Sequence, residues 1–107
     1  MSRFSSPGGL DVAAPVDETA NRSGDVQYQN TTGNPLFVSV NSDEDNPSMG
    51  FRAYVANTKV SEHFLQGDTE PTVTLHVELL VPADETYTVN LYGSATVQNW
   101  TEQEIQT

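Results

Sequence analysis

With 107 residues the chain has room for one domain, and with no cysteine it can form neither a disulfide framework, a thiolate nucleophile nor a cysteine-ligated zinc site. Fifteen acidic residues face one lysine (Lys59) and three arginines (Arg3, Arg22, Arg52), a net charge of −11 that argues against a nucleic-acid partner, since phosphate recognition needs a basic footprint. No run approaches the roughly 18 consecutive apolar residues of a membrane-spanning helix, and Met1 to Gly9 lacks the apolar stretch of an export signal, so the expectation is a soluble protein without membrane insertion.

In chain order, residues 1–24 are dominated by Ser, Pro, Gly and Ala and sustain no period of 2 or 3.6. They predict an extended N-terminal arm ahead of a folded domain over residues 25–107. Such an arm either lies along a neighbouring subunit or partner, or folds back on its own domain.

From Asp25 onward the pattern has period two. Val26, Tyr28 and Asn30 alternate with Gln27 and Gln29; Leu36, Val38 and Val40 alternate with Phe37, Ser39 and Asn41. Phe51, Ala53 and Val55 oppose Arg52, Tyr54 and Ala56, and Val60 to Leu65 makes a further strand. Val73, Leu75, Val77 and Leu79 form one apolar face, followed by Tyr87, Val89 and Leu91, then by Ala95 and Val97 leading to Trp100. Turn-rich segments separate these runs: Thr31 to Pro35, Asn41 to Gly50, Gln66 to Pro71, Pro82 to Glu85, and Tyr92 to Ser94. About seven short strands spaced by roughly 8 to 12 residues predict an all-β chain, a single β-sandwich of jelly-roll or Greek-key type, with Trp100 capping one end of the core.

Chemistry-bearing residues are few. His63 and His76 have no second histidine or nucleophile at the spacing of a triad or metal clamp, and His76 reads as an outward strand residue or a subunit contact. Asp43 and Asp45, in the run Asp43-Glu44-Asp45-Asn46, are weak cation-site candidates, because the run lacks the spaced ligands, glycine and glutamate of an EF-hand loop. A carboxylate pair for glycoside hydrolysis would need a cleft that so short a domain has little room for. The expectation is a protein with no catalytic residues, no cofactor and no enzyme activity. Three glycosylation sequons, at Asn21, Asn30 and Asn99, are no more than a chain rich in Asn and Thr produces by chance.

Two segments carry a family likeness. Tyr28-Gln29-Asn30-Thr31-Thr32-Gly33-Asn34-Pro35 with Leu36 to Val40 resembles the Y-x-N-T-T-G-x-P opening of small β-sandwich domains in tail fibres and other virion proteins of tailed viruses. Leu80-Val81-Pro82-Ala83-Asp84-Glu85-Thr86-Tyr87-Thr88-Val89, with Gly93 to Glu102, is similar to their closing V-P-x-G-x-x-Y-x-V and W-x-E pattern. Asp84 stands where that pattern has glycine, which puts the turn geometry in question.

The resemblance implies a surface-projecting structural module of a virion, commonly a homotrimer, with no catalytic residues to carry over. The dispersed acidity resembles proteins of extreme halophiles, whose carboxylates are screened at molar salt over roughly 3 Å, and suggests a virus of halophilic archaea. The expected function is a tail-fibre or receptor-binding module on the virion, joined to other virion proteins by its N-terminal arm and facing a host cell-surface glycan or protein. A capsid decoration or turret protein is the alternative. In either, Phe37, Tyr54 and Tyr92 are the candidate subunit contacts. A different class is a carbohydrate-binding or adhesion module, in which Tyr54, Tyr92 or Trp100 would stack on sugar rings; those aromatics must then line one open face.

Overall fold

The alternating segments build two antiparallel sheets whose apolar faces meet. The structure, a computed structural model, describes residues 3–5, 11–42, 49–65 and 74–106. Its strands are β1 (Arg3–Ser5), β2 (Asp11–Ala13), β3 (Val16–Asp17), β4 (Tyr28–Gln29), β5 (Leu36–Ser42), β6 (Met49–Val55), β7 (Thr58–Leu65), β8 (His76–Val81), β9 (Thr86–Gly93) and β10 (Val97–Gln106), with one 3-10 turn at Thr19–Asn21. The larger sheet runs β1-β2-β10-β5-β8, with β3 also on β10; the smaller runs β4-β9-β6-β7. The chain is an all-β sandwich.

Period two decides what is buried. Leu36, Val38 and Val40 of β5 and Val77, Leu79 and Val81 of β8 point inward, and Phe37, Ser39, His76, Glu78 and Leu80 point away. Met49, Phe51 and Ala53 of β6 with Tyr87 and Val89 of β9 supply the facing layer, and Leu75 and Ala95 fill the ends. Val73 lies outside the described residues. Trp100 is fully buried midway along β10, opposite Val40 in register, so it belongs to the interior of the core rather than capping an end.

The strand around Tyr28 shrinks to two residues, because the chain turns away at Asn30 to make a buried hydrogen-bonded node. The Asn30 amide nitrogen donates to the carbonyls of Asn34 (2.8 Å), Val81 (3.0 Å) and Pro82 (3.1 Å), and its oxygen accepts from the Thr32 amide and hydroxyl. Backbone bonds from Asn30 to Glu85 and from Asp84 to Asn30 close the node. It satisfies polar groups that would otherwise be buried unpaired, and it joins the two sequence segments that carry the family likeness. Asp84 takes φ +70°, the left-handed conformation for which glycine is suited.

Part of the stretch read as an arm joins the sheet of the domain. Of the two placements open to the arm, residues 11–22 take the second: β2 and β3 pair antiparallel with β10 of the same chain (Ile105 with Val12, Thr101 with Asp17). Glu18 donates its amide to the Trp100 carbonyl at 2.8 Å, and the Trp100 amide donates to Thr19 Oγ1 at 2.9 Å. Without them the outer edge of β10 would leave backbone donors and acceptors unpaired, which is the physical reason a segment of weak strand propensity is drawn into the sheet.

Candidate binding face

Two clusters in this fold pair an arginine with a glutamate and aromatic rings. The first lies between the sheets. Glu102 shares the inward face of β10 with Trp100 and is 6% exposed. Arg22 donates to both of its carboxylate oxygens (Nε to Oε2 2.9 Å, a second nitrogen to Oε1 3.1 Å), and the Tyr87 hydroxyl (2.8 Å) and Trp100 Nε1 (2.9 Å) donate to Oε2. The Arg22 guanidinium also lies over the Tyr28 ring at 4.9 Å, and Tyr28 meets Trp100 edge-on at 6.0 Å. Burial, then the hydrogen bond to Glu102, pushes the Tyr87 phenol above its ordinary range, and the hydrogen bond to Glu102 raises Arg22. A carboxylate with four donors and one matched cation has no capacity left for a substrate, so this cluster is a structural tie between residues 80 positions apart.

The second cluster faces outward. On the outer side of the smaller sheet, the register places Gly50, Arg52 and Tyr54 of β6 between Tyr92, Asn90 and Thr88 of β9 and Phe64, Glu62 and Lys59 of β7. The Phe64 and Tyr92 rings come within 5.6 Å of each other across Gly50. A Cβ at that position would sit 2.2 Å from the Phe64 ring, so glycine is what lets the ring lie across the strand. Arg52 lies 4.9 Å from the centres of both rings. Glu62 accepts a hydrogen bond from Lys59 Nζ at 2.9 Å and stands 3.3 Å from Arg52 Nε, an ionic contact without hydrogen-bond geometry. The Lys59 bond first, and the Arg52 charge with it, hold Glu62 below the usual carboxylate range. A hydrogen bond with Asn90, assisted by Arg52 and Tyr54, holds the Tyr92 phenol below its ordinary value.

Beside this cluster Tyr54, Asn57, Thr88 and Asn90 line an open depression. Asn57 is presented by the two-residue β6–β7 turn, where Ala56 (φ +50°) and Asn57 (φ +65°) are both left-handed, and its side-chain oxygen accepts from Gln27 at 3.2 Å. Two-residue hairpins call for this conformation at both positions, and alanine holds it at a cost that glycine would not carry.

The candidate residues read from the sequence divide between the two outer faces. Tyr54 and Tyr92 share the smaller sheet's outer face; Phe37 lies on the larger sheet's outer face, beside Leu80, which is 59% exposed. Trp100 is in the core, where no sugar could reach it. His63 and His76 do meet, which their spacing does not reveal. The His76 amide donates to His63 Nδ1 at 3.0 Å where β7 passes β8, and the His76 ring contacts Asn41 and, at 2.9 Å, Glu78. Among the described residues no group of three or more His, Asp or Glu is placed to hold a metal ion, and no helix is long and apolar enough to cross a membrane. Asp43 and Asp45 lie outside the described residues. The Asn30 sequon is closed to modification in the folded chain, since its amide is buried and engaged. Arg52, Asn57, Asn90 and Glu62 were not singled out from the sequence; the alternation of Arg52 and Tyr54 opposite the apolar Phe51 and Ala53 is the signal that could have found two elements of the face.

The architecture is thus a β-sandwich with one polar and aromatic outer face. No protein-family model matches the sequence, and no curated protein matches it. Among solved structures, the C-terminal domain of EclA, described as a sugar-binding protein, is similar at a TM-score of 0.39 and 10% identity, covering 88% of this chain and 78% of that one. A likeness at this level bears on neither mechanism nor ligand.

Proposed function

We propose that this chain is a non-catalytic carbohydrate-binding or adhesion module whose ligand lies on the outer face of the smaller sheet. One observation carries the reading. Tyr54 and Tyr92 stand on one open face and are interleaved with the hydrogen-bonding side chains of Asn57, Thr88 and Asn90. Carbohydrate recognition needs an aromatic surface for the apolar face of a pyranose and fixed amides and hydroxyls for its rim, on a scaffold that does not move. Strands β6 and β9, hydrogen-bonded along their length, give that rigidity. The test is binding of the purified chain to a panel of immobilised neutral and acidic oligosaccharides. Specific retention that falls at least tenfold in Tyr54→Ala and Tyr92→Ala supports the reading. An empty panel, or retention unchanged in both variants, sinks it.

A second reading, a surface-projecting virion module of tail fibre or capsid decoration, rests on the family-like segments, which converge on the Asn30 node and on Tyr87, Trp100 and Glu102. In that setting Phe37 and Leu80 would face neighbouring subunits, and the glycan face would meet the host surface. Light scattering behind size exclusion, in roughly 2 M salt to screen the charge, tests the trimer this reading favours.

A further inference from the structure

Charge on the outer face of the smaller sheet runs against the charge of the chain. Arg52 and Lys59 stand together in the outward register of β6 and β7, where Glu62 is the one acidic residue across β6, β7 and β9. Both cations lean on that single carboxylate, at 3.3 Å and 2.9 Å, so among the described residues of β6, β7 and β9 the face carries an excess of one positive charge, in a chain of net −11. Arg22, the other basic side chain described, is committed to Glu102. A hydrogen bond with Asn90 first, and Arg52 and Tyr54 after it, lower the Tyr92 phenol, so negative charge at that oxygen is favoured.

We infer that this face selects a sugar unit bearing a single carboxylate, the acid group meeting Arg52 and Lys59 while the ring lies against Tyr54 and Tyr92. The inference rests on the carbohydrate reading above and names the class of its ligand. An arginine flanked by Phe64 and Tyr92 has its guanidinium plane set before the ligand arrives, which suits the planar, two-oxygen geometry of a carboxylate. One unit of excess charge matches one acid. A polyanion would meet the repulsion of the surrounding surface, which at about 0.1 M salt reaches roughly 10 Å, so the fit is to an isolated uronic or similar sugar acid rather than to a densely charged polymer.

The experiment is a chemical-shift titration of the ¹⁵N-labelled chain with methyl β-D-glucuronide and with methyl β-D-glucoside, which differ only in the carboxylate. The expected result is at least fivefold tighter binding of the glucuronide, with shifts on β6, β7 and β9, and a preference that falls below twofold in both Arg52→Gln and Lys59→Gln. Lys59 is exposed, so its variant keeps the test valid if Arg52→Gln disturbs the sheet. Equal affinity for the two sugars overturns the acid selectivity and leaves the carbohydrate reading standing. A preference that survives in both variants overturns the assignment to this face. No response to either sugar, together with an empty oligosaccharide panel, overturns the selectivity and the carbohydrate reading at once.

Discussion

The same three ingredients, an arginine, a glutamate and aromatic rings, appear twice in this molecule and do opposite work. Around Glu102 the carboxylate, Tyr87 and Trp100 are buried, Arg22 is mostly covered, and each donor has its acceptor, so the arrangement ties residues 11–22 to the core. Around Glu62 they are about 40% exposed, and the one carboxylate is shared by two cations. Burial makes the difference. Within the sandwich an unpaired charge carries its full desolvation penalty, so only a complete set persists; on the outer face water tolerates an incomplete set, and incompleteness is what a ligand can use.

This contrast can be broken in order of expected effect. Arg22→Met should be the most damaging change, costing about 3 kcal/mol in urea unfolding, because Glu102 keeps its burial and loses its matched cation. A loss below about 1 kcal/mol would place the tie among ordinary surface pairs. Tyr87→Phe removes one charge-assisted hydrogen bond and should cost about 2 kcal/mol.

Tyr87 also sets a pH signature. Its phenol is raised in the folded chain, so the unfolded chain loses the proton first; the contribution is complete below about pH 10 and declines as pH rises beyond that. The alkaline loss of stability should be shallower in Tyr87→Phe. In the outer cluster the sign is reversed: Tyr92 is lowered, so absorbance at the phenolate band should show a component ionising below the ordinary phenol range, and Tyr92→Phe should delete that component.

Next in size, Ala56→Gly should stabilise the chain by about 1 kcal/mol by relieving left-handed strain, and it should weaken glycan retention if the rigid turn is what presents Asn57. Smallest is Arg52→Gln, expected to change unfolding by less than about 1 kcal/mol while removing the acid preference. An Arg52 variant as unstable as Arg22→Met would make the outer cluster a second structural tie.

How much of this was legible in the sequence depends on the range of the interaction. The inward faces of β5, β8 and β9 follow from alternation alone, because each residue's direction is set by its neighbours along the strand. The docking of residues 11–22 was not legible: it depends on β10 offering an unpaired edge, and nothing local in Asp11 to Arg22 states that. Glu102 could have been marked, since it shares a face with Trp100 two residues earlier, but its partner Arg22 lies 80 positions away. Tyr54 and Tyr92 were visible as outward residues of separate strands; that they share a face, while Phe37 does not, required the strand order.

β10 lies between β5 on one side and β2 and β3 on the other. During synthesis it emerges after every other described strand, so β2 and β3 are made before the β10 edge they join and, within this sheet, β5 can pair only with β8 until then. The larger sheet therefore cannot zip outward from a first hairpin; its middle is inserted late, through contacts of long sequence separation that fold slowly. A nascent chain stalled before Val97 would present a bare strand edge and an unfilled core, the form in which this protein would be most exposed to proteases and to its own copies.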